Sequence, residues 1–132
     1  MLLVDTNVLV DVLQNDPQWA DWSIAQMRAQ AKLHALAINP VIYAEMSLSF
    51  STLEALDAVV QTMALELREI PRPALFLAAK AFAQYRRRGG NKAQVLPDFF
   101  IGAHAAIEGW PLLTRDAARF KTYFPTLEVV TP

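Results

Sequence analysis

A chain of 132 residues, of which 54% are hydrophobic and 19% charged, is expected to fold as one compact domain, residues 1–132, and not to remain disordered. Its formal net charge of −1 gives no strong overall attraction to nucleic acid, although basic residues outnumber acidic ones within residues 80–132. The absence of cysteine excludes disulfide bonds and cysteine-based zinc sites. No apolar run approaches the roughly 18–20 residues of a membrane span, and the N-terminus lacks the basic start of a secretory signal. We therefore expect a cytoplasmic protein.

Short apolar runs alternate along the chain with longer segments of helical period, which is the pattern of a parallel β-sheet covered by helices. This alternation predicts an α/β fold. The predicted strands lie near residues 2–5, 33–38, 66–70, 111–114 and 127–130.

Several capping signals predict where helices begin and end. Asn39-Pro40 combines an N-cap residue with a proline at the first helical position, directly after the second strand. The remaining signals, in chain order, are Asp16-Pro17 for a helix ending near Ala31, Ser51 with Glu54 as a capping box, Pro73 for a helix ending at Gly89-Gly90, residues 98–108, and a short helix over Ala117–Lys121. The segment from Gly89 to Pro97 is expected to be a mobile loop.

Four acidic residues are predicted to gather at one edge of the sheet. Asp5 and Asp116 follow the first and fourth strands, whereas Glu45 and Asp98 lie within apolar, helical stretches. Ligands of open parallel sheets bind beyond the carboxyl ends of the strands, so these acids can share a cleft if the first, second and fourth strands are neighbours. Ionised carboxylates packed together repel one another unless a cation neutralises them. The pattern therefore indicates a site for Mg²⁺, or Mn²⁺, and for phosphodiester chemistry.

Each acid also has an ordinary structural explanation. Asp5, Asp98 and Asp116 could simply cap helices or favour their first turns. The apolar helical neighbours of Glu45, such as Ile42 and Leu48, indicate a core-facing position, but a different helix phase would leave Glu45 on the surface. The joint placement of the four residues favours a site. In this hypothesis Asp5, Asp98 and Asp116 hold the metal, and Glu45 orients a water molecule or completes the metal shell.

Other polar residues near the acids have two interpretations each. Thr6, Asn7 and Thr114 could orient the acids or a water molecule, or could serve only turns and caps. Gly102 is expected to leave open space one turn after Asp98. The remaining residues considered are His104, predicted to be structural, and Trp19 with Trp22, predicted to be core or interface anchors.

A basic cluster precedes Asp98 in the sequence and could hold the backbone of RNA or DNA. Its members are Arg86, Arg87, Arg88 and Lys92. The alternative is that these arginines only complement the negative end of a helix. Arg115 and Arg119 flank Asp116 and could contact phosphate or neutralise the acids.

Four segments of the chain resemble the PIN domain family and, more narrowly, the VapC-type ribonuclease toxins of toxin–antitoxin pairs. They are residues 3–9 (LVDTNVL), 39–45 (NPVIYAE), 96–105 (LPDFFIGAHA) and 112–120 (LLTRDAARF). One such segment would be a weak signal, but four in the family's order and spacing span nearly the whole chain.

The resemblance implies a three-layer α/β/α sandwich on a central, mostly parallel five-stranded sheet with the first strand in the middle. It implies a metal-dependent endoribonuclease whose acidic quartet corresponds to Asp5, Glu45, Asp98 and Asp116. Asn7 and Thr114 match positions that the family uses in or near its site. The resemblance further implies a homodimer, an RNA substrate and inhibition by a cognate antitoxin protein.

Three other functional classes are compatible with a parallel sheet that carries acids at its edge. A phosphoacceptor receiver domain would need an acidic pair early in the chain and a lysine after a late strand, where this chain has Arg115. A haloacid-dehalogenase-like phosphatase would need a second aspartate two residues after Asp5, where this chain has Asn7. A catalytically silent binding module would keep the fold without metal affinity, and the presence of all four acids argues against it.

Overall fold

The computed structural model describes residues 1–132 as five strands and seven α-helices. The strands are β1 (Leu2–Val4), β2 (Leu36–Ile38), β3 (Glu66–Leu67), β4 (Leu112–Leu113) and β5 (Val129–Val130). The helices are α1 (Thr6–Leu13), α2 (Ala20–Ala31), α3 (Pro40–Ser47), α4 (Leu53–Thr62), α5 (Arg72–Arg87), α6 (Leu96–Glu108) and α7 (Ala118–Tyr123).

The strands form one parallel sheet in the order β3-β2-β1-β4-β5. Strand β1 is central: Leu2 pairs with Leu36 of β2, and Leu3 pairs with Leu112 of β4. Together with the covering helices, the sheet makes the three-layer α/β/α sandwich that was predicted. The predicted adjacency of the first, second and fourth strands is thereby confirmed, and the carboxyl ends of these strands meet at one edge. No helix is long and apolar enough to cross a membrane.

The three central strands are fully buried, as expected for a parallel sheet that is covered on both faces. Strand β3 forms one edge of the sheet, and both of its residues are exposed. An edge strand of only two residues limits edge-to-edge pairing with other chains. Helix α5 packs along α6 on one face. This packing fixes the start of α6, where Asp98 lies.

Local capping explains where the helices begin. Asn39 caps α3 as predicted, since its side-chain oxygen accepts a hydrogen bond from the backbone N–H of Ile42 at 2.9 Å. The predicted capping box at Ser51 is wrong by one residue, because Thr52 is the N-cap and its hydroxyl accepts from Ala55 N–H at 3.1 Å. Helix α2 begins three residues after Pro17, because Asp16 instead closes a turn by accepting from the backbone N–H of residues 18 and 19.

The connection between α5 and α6 is shorter than the predicted mobile loop from Gly89 to Pro97. Residues 93–95 form a 3₁₀ turn, and α6 begins at Leu96. Val95 is buried there and anchors the turn to the core. The exposed part of the connection is therefore confined to residues 88–94.

The expected open space beside Gly102 is wrong. A Cβ atom at Gly102 would lie 2.5 Å from the Phe124 ring and 3.0 Å from the Phe120 ring. Both rings are buried, at 3% and 2% exposed, and they come from the C-terminal segment that packs against α6. Glycine is therefore required for close packing at this position.

Replacing Gly102 with alanine should lower the free energy of unfolding by about 1–2 kcal/mol. A Cβ only 2.5 Å from a buried ring places the overpacking cost in the upper part of its range, about 2–3 kcal/mol, and alanine regains roughly 1 kcal/mol of this over glycine in a helix. Chemical denaturation of the variant measures the loss. The double variant with Phe124→Leu should recover part of it, and a Gly102→Ala protein as stable as wild type would contradict this packing.

Candidate active site

The four acids lie around the carboxyl end of the central strand. Asp5 directly follows β1, and Asp116 lies three residues beyond β4. Glu45 comes from the second turn of α3, which follows β2, and Asp98 comes from the first turn of α6. The adjacency of β2, β1 and β4 brings these four positions to the same edge of the sheet.

Asp5 is the most buried of the four acids, with 5% of its surface exposed. Its two carboxylate oxygens accept hydrogen bonds from Thr6 N–H and from the Thr114 hydroxyl, both at 2.7 Å. Burial raises the pKa of Asp5 to about 7; the hydrogen bond from Thr114 opposes the rise, and the charges of Asp98 and Glu45 add to it. Asp5 is therefore a rigidly held carboxyl whose negative form is destabilised by its surroundings.

Thr114 connects Asp5 to the loop after β4. In addition to its bond to Asp5, its hydroxyl oxygen accepts from Asp116 N–H at 3.1 Å and from the Asn7 side-chain amide at 3.3 Å. Asn7 in turn accepts from Arg115 N–H at 3.2 Å. These bonds fix the backbone of residues 114–116 against α1, and so they set the position of Asp116.

Glu45 is held by Thr6, whose hydroxyl donates to a carboxylate oxygen of Glu45 at 2.6 Å. Ile42, one turn before Glu45, is fully buried. Leu48 is 90% exposed because α3 ends at Ser47, so the predicted apolar face does not extend past Glu45. Glu45 itself is half-buried and faces Thr6 and the end of β1.

Asp98 forms an ion pair with Arg119, whose Nη1 lies 2.6 Å from Asp98 Oδ2. The pKa of Asp98 is raised by burial; Arg119 opposes the rise, and the charges of Glu45 and Asp116 add to it. The charges of Glu45 and Asp116 thus raise the pKa of Asp98, and the charges of Asp98 and Glu45 raise the pKa of Asp5. These charges indicate that the four acids are near enough to influence one another electrostatically.

Carboxylate oxygens are the donors that Mg²⁺ and Mn²⁺ prefer, and the mutual repulsion of these acids is what a divalent cation relieves. As the side chains stand, no three acidic or histidine residues converge closely enough to hold one ion between them. The donor chemistry fits a divalent ion, but one of the Asp98 oxygens is already held by Arg119. Side-chain movement, chiefly of Arg119 and the exposed Asp116, is needed to close a shell around an ion.

Arg115 is engaged away from the acids. Its guanidinium contacts both carboxylate oxygens of Asp11, at 2.6 and 3.0 Å, and lies over the ring of Trp19. Asp11 is 2% exposed and also accepts from the Ser23 hydroxyl at 2.9 Å. No partner was predicted for Asp11, although an acid inside the apolar run of α1 is itself a signal of a buried partner.

The basic residues in the last turn of α5 and just after it are exposed next to a group of aromatic rings. The guanidinium of Arg86 lies 5.9 Å from the Phe82 ring centre, and that of Arg88 lies 5.5 Å from the Tyr123 ring centre. Arg119 lies over Tyr85, whose ring contacts those of Phe82 and Tyr123. The basic surface is thus adjacent to the ion pair of Asp98.

His104 is fully buried and contacts no member of the acidic quartet. Its Nδ1 lies 3.2 Å from the amide nitrogen of Asn39, and its ring packs 5.2 Å from that of Trp110. Burial lowers the pKa of His104, which favours the neutral ring. These contacts agree with the predicted structural role. The two remaining tryptophans, Trp19 and Trp22, are half-buried and meet edge to face.

The largest cavity of the molecule, about 420 Å³, lies elsewhere, among apolar residues of α1, α2 and α4 such as Val12, Met27 and Met63. None of the four acids lines it. The candidate site is thus a cluster of charges at the edge of the sheet and not a deep pocket.

Comparisons with known proteins agree with this architecture. Chains in three solved complexes share the fold over nearly their whole length. One is VapBC2 from Rickettsia felis bound to a DNA fragment from their promoter, with 19% identity and a TM-score of 0.75 over 99% of this chain and 98% of that chain. DNA-bound VapBC from Salmonella typhimurium has 21% identity and a TM-score of 0.71, over 99% of this chain and 98% of that chain. A toxin–antitoxin complex from Klebsiella pneumoniae has 21% identity and a TM-score of 0.68, over 100% of this chain and 98% of that chain.

No curated protein matches the sequence significantly. The family model of the PIN domain, however, matches residues 2–124, which include strands β1 to β4 and all four acids. The chain therefore belongs to the PIN domain family.

Proposed function

We propose that this chain is a metal-dependent endoribonuclease that hydrolyses RNA phosphodiester bonds and acts as the toxin of a toxin–antitoxin pair. The observation that carries the proposal is the state of Asp5. It is a buried carboxyl that Thr6 and Thr114 hold in place at the end of the central strand, and burial, together with the charges of Asp98 and Glu45, raises its pKa to about 7. Perturbed carboxyls of this kind cluster at functional sites.

In this proposal Asp5, Asp98 and Asp116 hold Mg²⁺, for which Mn²⁺ can substitute. The ion, when bound, neutralises phosphate charge in the transition state and activates a water molecule. Asp5 supplies the fixed, preorganised ligand, since its hydrogen bonds set its orientation before the ion arrives. Asp116 is exposed and positioned by the loop after β4, so it can adjust its carboxylate to the ion.

Glu45 has the role of orienting the attacking water or accepting its proton. The hydroxyl of Thr6 engages one carboxylate oxygen of Glu45, at 2.6 Å, and leaves the other free to face the cleft. A general base must lie within hydrogen-bond reach of the water that it deprotonates. The bond from Thr6, which places Glu45 beside the end of β1, supports this role.

The basic surface at the C-terminal end of α5 is proposed to hold the RNA backbone. Its residues are Arg86, Arg87, Arg88 and Lys92, and the backbone N–H of Lys92 donates to the Tyr85 hydroxyl. Arg115 completes the proposed set through the outer edge of its guanidinium, because Asp11 holds only Nε and Nη2. Exposed arginines beside aromatic rings suit single-stranded nucleic acid, whose bases stack on rings while the backbone contacts the charges.

Replacing Arg86, Arg87 and Arg88 with alanine should weaken RNA binding about tenfold or more and reduce its dependence on salt. Each phosphate contact contributes a nearly constant amount to the salt slope, so three lost contacts should lower that slope by about 2 for a single strand. Fluorescence anisotropy titrations at several salt concentrations between roughly 50 and 200 mM measure both effects. An unchanged slope would remove this surface from the proposal.

An antitoxin protein and a second copy of the chain are the proposed partners, and the cytoplasm is the proposed location. The fold-related chains come from VapBC and toxin–antitoxin complexes, which supports a protein partner. The toxin role needs a cellular test.

Induced expression of the chain in a bacterial host without the antitoxin should arrest growth, and Asp116→Asn should relieve the arrest. The substitution removes one negative ligand without changing the size of an exposed side chain, so it should not impair folding. Asp21→Asn, an exposed acid in α2, is the matched control and should remain toxic. Normal growth with wild-type protein present at the level of the variants, or equal toxicity of Asp116→Asn, would contradict the toxin role.

A further inference from the structure

Arg119 is the only basic residue in the chain that pairs with one of the four acids. The other two ion pairs join Arg68 to Glu66 and Arg115 to Asp11. The guanidinium of Arg119 approaches Asp98 to 2.6 Å while its face lies 6.0 Å from the centre of the Tyr85 ring. Arg119 therefore contacts Asp98, which belongs to the candidate site, and Tyr85, which does not.

The ion pair occupies a ligand oxygen of the proposed metal site. A guanidinium and a divalent ion on the same carboxylate would repel each other at short range, where the interaction of charges is least screened. The pair is also accessible: the side chains are 29% and 32% exposed for Arg119 and Asp98. A pair at this depth is held weakly enough to be exchanged for a stronger cation.

Arg119 has the reach to change partners. It lies in the first turn of α7, on the loop side of the site, and its long side chain crosses from α7 to the start of α6. Tyr85 would still support its guanidinium after separation from Asp98. A guanidinium released beside the acids can turn to a phosphate group there, whose geometry its planar fork matches.

We propose that Arg119 is an exchangeable counter-ion: it neutralises Asp98 in the metal-free protein, competes with the divalent ion for that carboxylate, and after displacement contacts the phosphate of the bound RNA. The inference rests on the proposed metal-dependent nuclease. It adds a residue that opposes metal binding and favours cleavage, whereas a residue that only supports the fold would do neither.

Metal affinity gives the first test, because it does not depend on activity. Calorimetric titration with Mn²⁺ should show about fivefold tighter binding to Arg119→Gln than to wild type, which is the upper range for an exposed ion pair. Arg119→Lys, which keeps the competing charge, should resemble wild type. Arg88→Gln removes the same charge from the neighbouring surface without touching an acid, so its affinity should change by less than about twofold.

Cleavage at saturating Mg²⁺ gives the second test. Arg119→Gln should cleave RNA at least about tenfold more slowly than wild type, since a positioned donor to the transition-state phosphate is lost. Tighter metal binding and slower cleavage in the same variant is the expected result. Unchanged or faster cleavage at saturation would exclude the contact with phosphate.

The outcomes separate this inference from the function on which it rests. If wild type binds Mn²⁺ and Asp98→Asn does not, but Arg119→Gln binds no more tightly than Arg88→Gln, then Arg119 is not a competing counter-ion and only this inference fails. If neither wild type nor any Arg119 variant binds Mn²⁺, the metal-dependent function fails with it. Thermal unfolding of each variant verifies that affinity is compared between folded proteins.

Discussion

Replacing Asp5 with asparagine should reduce metal-dependent RNA cleavage by about a thousandfold or more while leaving the protein folded. Asp5 is the most buried of the acids and the one fixed by two hydrogen bonds at 2.7 Å. Asparagine keeps the size of the side chain but removes the charge that a divalent ion needs, and electrostatic stabilisation of the reacting phosphate depends on that ion. Initial rates on a defined RNA, with Mg²⁺ in excess, measure the loss.

A matched control distinguishes loss of the site from loss of an acid in general. Asp21→Asn changes an exposed carboxylate on α2 in the same way and should cleave at the wild-type rate. The circular dichroism spectra and unfolding midpoints of both variants verify that the fold persists. An Asp5→Asn protein that is folded and fully active would rule out the metal mechanism.

The stability of the metal-free protein should fall as the pH rises from about 4 to about 7, by about 4 kcal/mol through Asp5 alone. The pKa of Asp5 is raised by burial from 3.8 to about 7. Below pH 4 the carboxyl is protonated in the folded and unfolded states, and its contribution to stability is fully present. Between the two pKa values only the unfolded chain loses the proton, so stability is lost as pH rises, and above pH 7 the loss is complete.

Chemical denaturation in EDTA at pH values between 4 and 8 measures this dependence. The other acids of the chain also titrate in this range, so the informative quantity is the difference between wild type and Asp5→Asn. The variant should be the more stable protein at pH 8 and should lose the advantage at pH 4. Saturating Mg²⁺ should restore wild-type stability at pH 8, because a ligand that binds only the folded state stabilises it. A wild-type protein whose stability relative to Asp5→Asn does not change with pH would contradict the buried, perturbed state of Asp5.

The arrangement of the acids could be predicted because it follows from strand order and capping. Asp5 and Asp116 come directly or soon after strands, and Asn39-Pro40 fixes the start of the helix that carries Glu45. Once β1 lies between β2 and β4, the carboxyl ends of these strands must meet. Local signals and one rule of topology are therefore sufficient to place Asp5, Glu45 and Asp116 at the same edge of the sheet.

The partners of these acids could not be predicted, because they depend on contacts between distant parts of the chain. Asp11 and Arg115 are 104 residues apart, and Thr114 reaches Asp5 across 109 residues. Neither contact leaves a periodic signal in the sequence. Neutralising the acids was one of two roles considered for Arg119, and only the geometry of α6 and α7 identifies Asp98 as its partner.

The wrong predictions about packing have the same cause, since they also depend on contacts that the local sequence does not show. Gly102 was expected to border open space, but Phe124 and Phe120 fill it from a segment about 20 residues later. Leu48 was predicted to lie on the core-facing side of the helix that carries Glu45, but α3 ends one residue earlier and leaves Leu48 exposed. A helix face predicted from sequence is therefore reliable only as far as the helix continues.

Cleavage of total cellular RNA by purified wild-type protein and by Asp98→Asn, each with Mg²⁺ and with EDTA, tests the central claim most directly. The protein must be shown to be folded and free of antitoxin. We expect discrete products with wild type and Mg²⁺ only, and their ends will identify the RNA that is cut. Intact RNA in every sample, or cleavage that persists in EDTA or in Asp98→Asn, would contradict a metal-dependent ribonuclease.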